Sequence, residues 1–307
     1  MSNGVALFLA ALAMDLFLGE PPSAVHPVVW MGHAIRTAAR AVKTRQPLGQ
    51  TAAGVGIALA IPALFGGGAA LVLYALRPWP LPAFLISVWL LKSSFALRAL
   101  GRAARRVRDA LYADRLDEGR AGLTSLCSRD PSRLDRAQLV AATIESVAEN
   151  ASDSFVAPLF YYVIAGVPGA LAYRAINTLD AMIGYHGHYE WLGKAAARLD
   201  DVANFVPARL TAALLVAAGW LAGFDARSAV RVWRRDARTT ESPNAGRPMA
   251  AMAGLLSVEL RKWGHYRLGD PIDTLTVAKI DRAWSAVRIA ATLATLICIG
   301  SVYALRH

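Results

Sequence analysis

The 307-residue chain has little charge and almost no cysteine. Charged residues make up 18% of the sequence, against about 25% in soluble domains. Cys127 and Cys298 lie far apart, which excludes a disulfide framework and a four-cysteine metal site. We expect both thiols to be buried and to act as small apolar groups. The shortage of charge points away from an ordinary soluble domain.

A basic region is missing ahead of the first apolar segment, Val5 to Leu18. A secretory signal peptide has such a region, so we expect no cleavage here. Asp15 and the Gly-Glu-Pro-Pro sequence that follows are typical of structure that is retained. The segment is predicted to form an uncleaved first helix.

Apolar residues make up 55% of the chain and are gathered in long runs. Residues 51–76 carry no charge over 26 positions and residues 289–305 none over 17, while about 20 residues cross the core of a bilayer. We predict an all-α, polytopic helical membrane protein that forms a single integral-membrane domain over residues 1–307, with long polar loops. The predicted spans cover about residues 4–18, 52–76, 81–97, 154–173, 210–224 and 288–305.

One of these spans is interrupted by helix-breaking residues. Residues 154–173 contain Pro158, Gly166, Pro168 and Gly169. Irregular backbone at membrane depth is tolerated where it lines a cavity in the protein, and transporters use broken helices at their sites. We therefore expect a broken or re-entrant helix. The side of the membrane on which the following polar block lies depends on that choice and stays open.

Arginine gives the chain a net charge of +11 and is concentrated beside apolar segments. Residues 98–136 hold ten arginines and six acidic residues, and residues 225–247 hold six and three. This distribution is typical of the positive-inside bias, with the arginines in cytoplasmic water or along anionic lipid. Residues 98–120 are predicted to form an amphipathic helix. No nucleic-acid-binding motif accompanies the charge, so we expect a lipid bilayer as partner and no nucleic acid.

Three carboxylates precede the broken span in "ESVAENASDSFVAPLFYY". Glu145, Glu149 and Asp153 fall within a sector of about 80° on a helix, where like charges four residues apart repel by about 0.2–0.5 kcal/mol per pair. A solvated helix face is one interpretation. The other is a Mg²⁺ site, because Mg²⁺ binds carboxylates together with substrate phosphates, and Asn150 adds an amide. We expect the helix to begin in "SRDPSRLD", with Asp130 or Ser132 as its N-cap.

A second polar block, residues 173–210, lies between apolar segments. Ionisable residues near a membrane are costly and are treated as functional candidates, and arginine has the geometry to bind phosphate or carboxylate. Internal ion pairing, for example between Arg198 and Asp201, is the alternative. The candidates are Asn177, Asp180, Arg198, Asp200, Asp201, Asn204 and Arg209.

The sequence "ESPNAGRPMAAMAG" forms a third block. Ser242 and Asn244 are predicted to make a turn before a helix whose N-terminus faces an anion. The block lacks the GxxxxGK[ST] pattern of a phosphate loop, so an ordinary helix-entry turn is the alternative. His26 and His33, and His186 and His188 in "YHGHY", are expected to be hydrogen-bonding residues more often than metal ligands.

Together the motifs "DLFLGEP…HPVVWMG", "IESVAENASDSFVAPLFYYVIAGVPGALAYRAINTLDAMIGY", "ARLDDVANFVPARLTA" and "SPNAGRPMAAMAG" resemble the CobD/CbiB cobalamin-biosynthesis family, from about residue 15 to about residue 270. The resemblance implies an integral membrane adenosylcobinamide-phosphate synthase in the cell inner membrane. Such an enzyme joins aminopropanol or its O-phosphate to a propionate carboxylate of adenosylcobyric acid, with ATP as co-substrate and Mg²⁺ as cofactor. Other membrane enzymes of the corrinoid pathway are then expected partners.

The chemistry of that reaction assigns roles to the polar residues. Phosphoryl transfer depends on metal ions and cationic groups that stabilise charge, and a carboxylate near apolar surroundings can act as the base for the amine. We expect Asp180 to be that base, with Glu149 and Asn177 also at the catalytic centre. The expected Mg²⁺ ligands are Glu145, Glu149, Asp153 and Asp201, with Asp180 as an alternative to Asp201. The expected substrate- or phosphate-binding residues are His26, Asn150, Arg198, Asn204, Arg209, Ser242 and Asn244.

Two further expectations concern the corrinoid and rival functions. Phe155, Tyr161, Tyr162 and Trp191 are predicted to line a groove for this amphipathic substrate, or else to be interfacial anchors. A non-enzymatic membrane sensor or a transporter of related fold is the alternative function. A transporter predicts internal repeats, and the sequence has none. A sensor would not need all of the polar motifs.

Overall fold

A computed structural model describes residues 3–44, 46–127, 129–185, 187 and 189–305. Almost all regular structure in these ranges is helical, which confirms the predicted fold class. The α-helices are α1 Asn3–Phe17, α2 Pro27–Ala41, α3 Pro47–Pro62, α4 Gly68–Ala75, α5 Pro80–Lys92, α6 Leu97–Tyr112, α7 Leu116–Leu123, α8 Arg136–Ala151, α9 Ala157–Ile183, α10 Lys194–Ala203, α11 Phe205–Leu221, α12 Ala226–Asp236, α13 Gly246–Leu256 and α14 Ala278–Ala304. An antiparallel hairpin pairs β1 Leu260–Lys262 with β2 Tyr266–Leu268.

The chain divides into two compact units. The first comprises Met1–Ala96, Ala157–Asn204 and Cys298–His307, and the second comprises Leu97–Val156 and Phe205–Ile297. In the first unit Phe8, Met31, Ile35, Leu91 and Tyr173 are fully buried, and in the second Leu111, Leu139, Ile144, Leu215 and Met252 are. The single integral-membrane domain expected from the sequence stays a prediction.

Membrane-spanning helices are present as predicted. Within the described ranges, four segments are long and apolar enough to cross a bilayer: Pro47–Ala75, Pro80–Tyr112, Arg136–Ile183 and Ala278–Ala304. A fifth is added if α10 and α11 form one bent span. The chain is therefore a multi-pass membrane protein. The predicted first span is the helix α1, whose 15 residues fall short of the length a bilayer requires.

The predicted break in residues 154–173 occurs at Gly166. Inside α9 the backbone leaves the helical conformation at Ala165 and Gly166, and Gly166 has φ 64° and ψ −155°. Such a conformation is accessible to glycine because it has no Cβ. Pro168 cannot donate a backbone hydrogen bond, so it adds to the break. The apolar segment is a broken helix, as expected.

Two helix boundaries differ from the prediction. The N-cap of α8 is Asp135, which accepts a hydrogen bond from the Gln138 backbone at 2.8 Å, while the Gln138 side chain accepts one from the Asp135 backbone at 2.9 Å. Asp130 was the wrong choice because its two carboxylate oxygens both accept hydrogen bonds from Ser132, in a turn that precedes the helix. The amphipathic helix predicted for residues 98–120 ends at Tyr112, and α7 follows after a short turn.

Both cysteines were predicted to be buried. Cys298 is buried as expected, whereas Cys127 is only half-buried.

Helices α12 and α13 approach each other closely at Gly254. A Cβ atom on Gly254 would lie 2.5 Å from Ala229 Cα and 2.7 Å from the Ser228 carbonyl oxygen. Because both neighbours are backbone atoms, the two helices can pack this way only around a glycine.

We predict that Gly254→Ala lowers the thermal unfolding midpoint of the detergent-solubilised protein, since α12 and α13 must separate at a cost of about 1–3 kcal/mol. The matched control is Gly56→Ala in α3, where no atom lies within 4 Å of the added Cβ. That change is expected to leave the midpoint unchanged or raise it, because alanine favours helix over glycine. Equal midpoints for the two variants would show that the packing at Gly254 is not tight.

Candidate functional site

The three carboxylates of the acidic stripe belong to the second unit. Glu145 and Glu149 lie four residues apart in α8, as predicted, whereas Asp153 lies beyond the end of α8 in a π-helical turn, Ser152–Val156. A π-turn holds one more residue than an α-turn, so the α-helical spacing assumed for the stripe does not extend to Asp153. The role of the three carboxylates as metal ligands stays a prediction.

Glu145 is the buried centre of this acidic group. Its side chain is 7% exposed, and one carboxylate oxygen, Oε2, lies 3.8 Å from the Arg129 guanidinium. The hairpin places Lys262 and Tyr266 opposite each other, and both are electrostatic neighbours of Glu145. Burial, together with the negative charges of Glu145 and Glu149, raises the pKa of the Tyr266 phenol. That phenol is therefore a proton donor at neutral pH.

Among the residues that the structure describes, two polar atoms of this group have no hydrogen-bond partner. Glu145 Oε1 and Arg129 Nη1 are both buried and unsatisfied. A buried polar atom without a partner is costly, so each marks a place where water or a ligand completes the site. Asn150 is engaged differently, because its amide nitrogen donates to the Ser146 and Leu126 carbonyl oxygens at 2.9 and 3.3 Å. This donor is not available for a phosphate.

The carboxylates of this group can bind Mg²⁺ only together with other ligands, such as water or substrate phosphate. In the described residues, no three His, Cys, Asp or Glu side chains are close enough to hold a metal ion. Mg²⁺ usually keeps several waters and uses one or two carboxylates together with substrate phosphates. Glu145, with its unsatisfied oxygen, and Glu149 can supply those carboxylates. Their role as ligands, and the completion of the shell by Asp180 or Asp201, stay predictions.

The first unit contains a second polar cluster, built by α9 and α10. Asn204 donates to Asp200 Oδ2 at 2.9 Å and accepts from the Tyr173 hydroxyl at 2.8 Å. The other oxygen, Asp200 Oδ1, is buried without a hydrogen-bond partner. Asp180 is an electrostatic neighbour of Asp200. Asn204 is thus a positioning residue, since both ends of its amide are used inside the protein.

The Asp180 side chain requires a glycine at position 184, just after the end of α9. A Cβ atom on Gly184 would overlap the Asp180 carboxylate, so only glycine leaves room for that side chain. Among the described residues, Asp180 forms no ion pair with Lys or Arg. Asn177, one turn earlier, accepts a hydrogen bond from Arg174 at 3.3 Å. Within the described ranges, the cluster thus contains two neighbouring carboxylates that form no ion pair with Lys or Arg.

One predicted member of this block, Arg198, lies at its surface. Arg198 is 76% exposed, and its guanidinium lies 3.3 Å from Asp201. This is the ion pair that the sequence offered as the alternative to phosphate binding. Exposed pairs three residues apart contribute little to stability. The structure therefore shows the ion pair, and the predicted role of Arg198 as a phosphate ligand stays a prediction.

A group of three arginines, here called the arginine cradle, lies in the second unit around the turn that precedes α13. It consists of Arg209, Arg238 and Arg247, which are electrostatic neighbours of one another. The Arg209 guanidinium donates to the Phe205 carbonyl oxygen at 2.6 Å and to Asn244 Oδ1 at 3.4 Å. It also lies 3.5 Å from the centroid of the Phe205 ring.

The turn itself is held by hydroxyl groups. Ser242 Oγ accepts from the Asn244 backbone at 3.2 Å, and Thr240 Oγ1 accepts from the Gly246 backbone at 3.1 Å. A Cβ on Gly246 would meet the Ala237 carbonyl oxygen at 2.5 Å, so this position requires glycine. The turn therefore brings Asn244 and Arg247 to the N-terminus of α13, where backbone N–H groups favour anions.

The cradle carries an excess of positive charge. Within the described part of the chain, none of its three guanidiniums forms an ion pair with a carboxylate. Burial, and then the positive charge of Arg238, lower the pKa of Arg247. Three cations that repel each other are stabilised by an anion of more than one charge. Phosphate, with its three oxygens, matches that requirement and the fork geometry of arginine.

His26 belongs to a third group, in the first unit, centred on the fully buried Lys92. The Lys92 ammonium lies 3.1 Å from Asp15, 2.9 Å from Glu20 and 3.2 Å from the Phe95 carbonyl oxygen. His26 Nε2 lies 3.0 Å from Glu20, and His26 Nδ1 accepts from the Val28 backbone as the N-cap of α2. These contacts put the proton on Nε2. His26 is a hydrogen-bonding residue here, as one interpretation of the sequence had it.

Two of the four aromatic residues that were predicted to line a groove are buried inside the protein. Phe155 and Tyr162 are buried, and the Tyr162 hydroxyl donates to the Gly4 carbonyl oxygen at 2.7 Å. The Tyr161 ring stacks on Tyr173 at 5.1 Å. Trp191 remains exposed, with the Lys194 ammonium 5.4 Å from its ring. Phe155 and Tyr162 therefore belong to the core. The two histidines of the "YHGHY" sequence, His186 and His188, lie outside the described residues.

Comparison with known proteins places the chain among relatives. The family model described as CobD/Cbib protein matches residues 8–296. The chain belongs to the CobD/Cbib family. A relative named Cobalamin biosynthesis protein CobD, from Dehalococcoides mccartyi, is 41% identical over 302 residues, which cover 97% of each chain. No solved structure matches the sequence.

Two further relatives carry the same name. The one from Photorhabdus laumondii is 40% identical over 262 residues, which cover 83% of this chain and 82% of the relative. The one from Mycobacterium tuberculosis is 42% identical over 260 residues, which cover 84% and 80%. The resemblance that the polar motifs indicated is therefore confirmed over nearly the whole chain.

Several residues of this CobD/Cbib chain were not foreseen. Arg247 lies inside the "SPNAGRP" motif, so its position beside Asn244 was a usable signal. Arg129 and Tyr266 meet Glu145 from distant parts of the sequence, and Lys92 ends a membrane helix that otherwise looks purely apolar. Arg238 lies in a run of arginines that fits the positive-inside bias equally well. No sequence pattern distinguishes Arg129, Tyr266, Lys92 or Arg238 as site residues.

The Glu20 carboxylate predicts a pH dependence of stability. Burial raises its pKa, but the hydrogen bond from His26 and the charge and hydrogen bond of Lys92 outweigh burial, so the pKa lies below the ordinary value of 4.5. A lowered pKa stabilises the fold above the ordinary value, and that contribution is lost as pH falls through the lowered one. We expect Glu20→Gln to lower the unfolding midpoint most at pH 7, with the difference from wild type shrinking below about pH 4.5.

The control for this measurement is Glu118→Gln, which removes an exposed carboxylate paired with Arg115. It should shift the midpoint little at any pH, because exposed ion pairs contribute about 0–1 kcal/mol. A Glu20→Gln difference that stays constant down to pH 3 would show that the carboxylate does not carry a lowered pKa.

Proposed function

We propose that this chain is the amide-forming ligase of cobalamin biosynthesis that joins aminopropanol, or its O-phosphate, to the propionate carboxylate of adenosylcobyric acid. ATP is the co-substrate, Mg²⁺ the cofactor, and the cell inner membrane the location. Membership of the CobD/Cbib family supports a corrinoid substrate. Other membrane enzymes of the corrinoid pathway are the partners that would supply it.

The arginine cradle is the observation that carries the proposal. A free carboxylate does not react with an amine, so an activating step must precede amide formation. Activation by ATP needs a site for phosphate, and the cradle offers three guanidiniums, an amide from Asn244 and the N-terminus of α13 without a competing carboxylate. Positive groups of this kind stabilise the charge of a transferring phosphoryl group.

The reaction balances in two steps. In the first, a carboxylate oxygen of the corrinoid attacks the γ-phosphorus of ATP, which gives an acyl phosphate and ADP. In the second, the amine attacks the acyl carbon, the C–N bond forms, phosphate leaves with the C–O bond electrons, and one proton is lost from nitrogen. Attack at the α-phosphorus, which would give an acyl adenylate and pyrophosphate, is the alternative first step.

Two pairs of carboxylates supply the remaining functions, Asp180 with Asp200 and Glu145 with Glu149. Asp180 and Asp200 lie next to each other without a cation in the described residues, and Asp200 Oδ1 lacks a partner. A pair of this kind can bind the ammonium form of the amine and take up its proton. Glu145 and Glu149 would hold Mg²⁺, which when bound neutralises phosphate charge. Asn177 and Asn204 orient the aspartate side chains.

Arg247→Gln tests the cradle. We expect it to raise the KM for one phosphorylated substrate by about 10- to 100-fold, because a hydrogen bond to a charged group contributes about 1.5–3 kcal/mol. The measurement is product formation by mass spectrometry with purified protein, adenosylcobyric acid, Mg²⁺, and ATP or aminopropanol phosphate varied in turn. The substrate whose KM rises is the one whose phosphate the cradle binds.

The matched control is Arg115→Gln, which removes an exposed arginine of the same unit. It is expected to leave both KM values within about twofold, since exposed ion pairs contribute about 1 kcal/mol at most. Unchanged KM values for ATP and aminopropanol phosphate in a folded Arg247→Gln variant would contradict phosphate binding by the cradle. No product from wild type with all components intact would contradict the ligase itself and favour a sensor.

Glu149→Gln tests the metal role separately. We expect this variant to need a higher Mg²⁺ concentration for half-maximal rate and to lose at least tenfold in kcat, since a carboxylate ligand to the metal is replaced by a neutral amide. The rate is measured against Mg²⁺ concentration at saturating substrates, with Glu118→Gln as the surface control. An unchanged Mg²⁺ dependence would remove Glu149 from the metal site and leave the ligase proposal intact.

A further inference from the structure

The second unit carries an apolar groove that the proposed reaction does not use. It has a volume of 550 Å³ and lies between α11 and α12. Ala213, Ala217 and Trp220 line it from α11, while Ala226, Arg227 and Val230 line it from α12. Trp220 is 75% exposed. Arg227 is the only charged residue among the lining side chains.

The two helices that form the groove differ in character. Helix α11 is apolar from Ala212 to its end, whereas α12 carries arginine on one side and buries the other. The turn between them is rigid, because Phe224 donates its backbone N–H to Gly219 at 2.8 Å and Asp225 caps α12 through the Ser228 backbone at 2.8 Å. The groove is therefore a fixed feature where an apolar helix meets an amphipathic one.

The exposed side of α12 forms a stripe of three arginines: Arg227, Arg231 and Arg234. All three are exposed, and their spacing keeps them within a sector of about 60° on a helix. In the part of the chain that the structure describes, none of the three pairs with a carboxylate, whereas Arg235 on the flank pairs with Asp236 and Asp270. The stripe therefore presents uncompensated positive charge.

We propose that this groove binds one anionic phospholipid, with an acyl chain against Ala213, Ala217 and Val230 and the headgroup phosphate on Arg227. The groove supplies apolar walls of small side chains, an exposed tryptophan of the kind that anchors at the membrane interface, and a cation at one end. Anionic lipids are drawn to basic segments next to the membrane, and the arginine stripe continues that attraction beyond the groove. The charge of Arg227 at the end of the groove selects an anionic lipid over a zwitterionic one.

Native mass spectrometry of the full chain released from detergent tests this assignment. The probes are phosphatidylglycerol and phosphatidylcholine with identical acyl chains. Wild type is expected to retain one phosphatidylglycerol molecule with about fivefold preference, which corresponds to about 1 kcal/mol per arginine near the headgroup. Arg227→Gln should abolish the preference. Ala217→Leu, which fills an exposed position of the groove without a change of charge, should lower retention of both lipids.

Three results would overturn the proposal. Equal retention of the two lipids by wild type would show that the groove does not select charge. An equal loss of preference in Arg102→Gln, an exposed arginine on α6, would show that general surface charge is responsible. Displacement of the lipid by millimolar inorganic phosphate would show that the site recognises free phosphate. Circular dichroism of each variant establishes that the fold is retained.

Discussion

Every ionisable group that this apolar chain removes from water has to meet an opposite charge, a hydrogen-bond partner or a ligand. Some groups are satisfied inside the protein. Lys92 meets Asp15, Glu20 and a backbone carbonyl, and Asp236 meets Arg235 and the Gly269 backbone at 2.8 Å. Such closed groups hold elements together and leave nothing over for a substrate.

Other groups are left incomplete, and these are the ones that define the candidate site. The arginine cradle lacks an anion, the Asp180 and Asp200 pair lacks a cation, and Glu145 and Arg129 each keep a buried atom without a partner in the described residues. The missing partners match the reactants of an ATP-dependent amide synthesis: phosphate, an ammonium group and a metal ion held with phosphate. A structural role would have favoured closed pairs at the same positions.

The structural features that depend on local sequence pattern were predicted from the sequence. Uncharged runs of membrane length, the break at Gly166 and the spacing of Glu145 and Glu149 follow from composition and helical periodicity. The rest depends on contacts between distant segments. Arg209 and Arg247 are 38 positions apart, and Tyr266 reaches Glu145 through a hairpin of two three-residue strands, which no periodicity indicated. The π-helical turn that contains Asp153 was not predicted, because the periodicity argument assumes a continuous α-helix.

The central claim is that the corrinoid carboxylate is activated by transfer of a phosphoryl group. The most direct measurement follows an ¹⁸O label placed in the propionate carboxylate of adenosylcobyric acid during a turnover with ATP, Mg²⁺ and the amine. An acyl phosphate predicts one ¹⁸O atom in the inorganic phosphate released for each amide formed. Label in AMP would show an adenylate instead, and label absent from every product of ATP would contradict activation of the carboxylate by this protein.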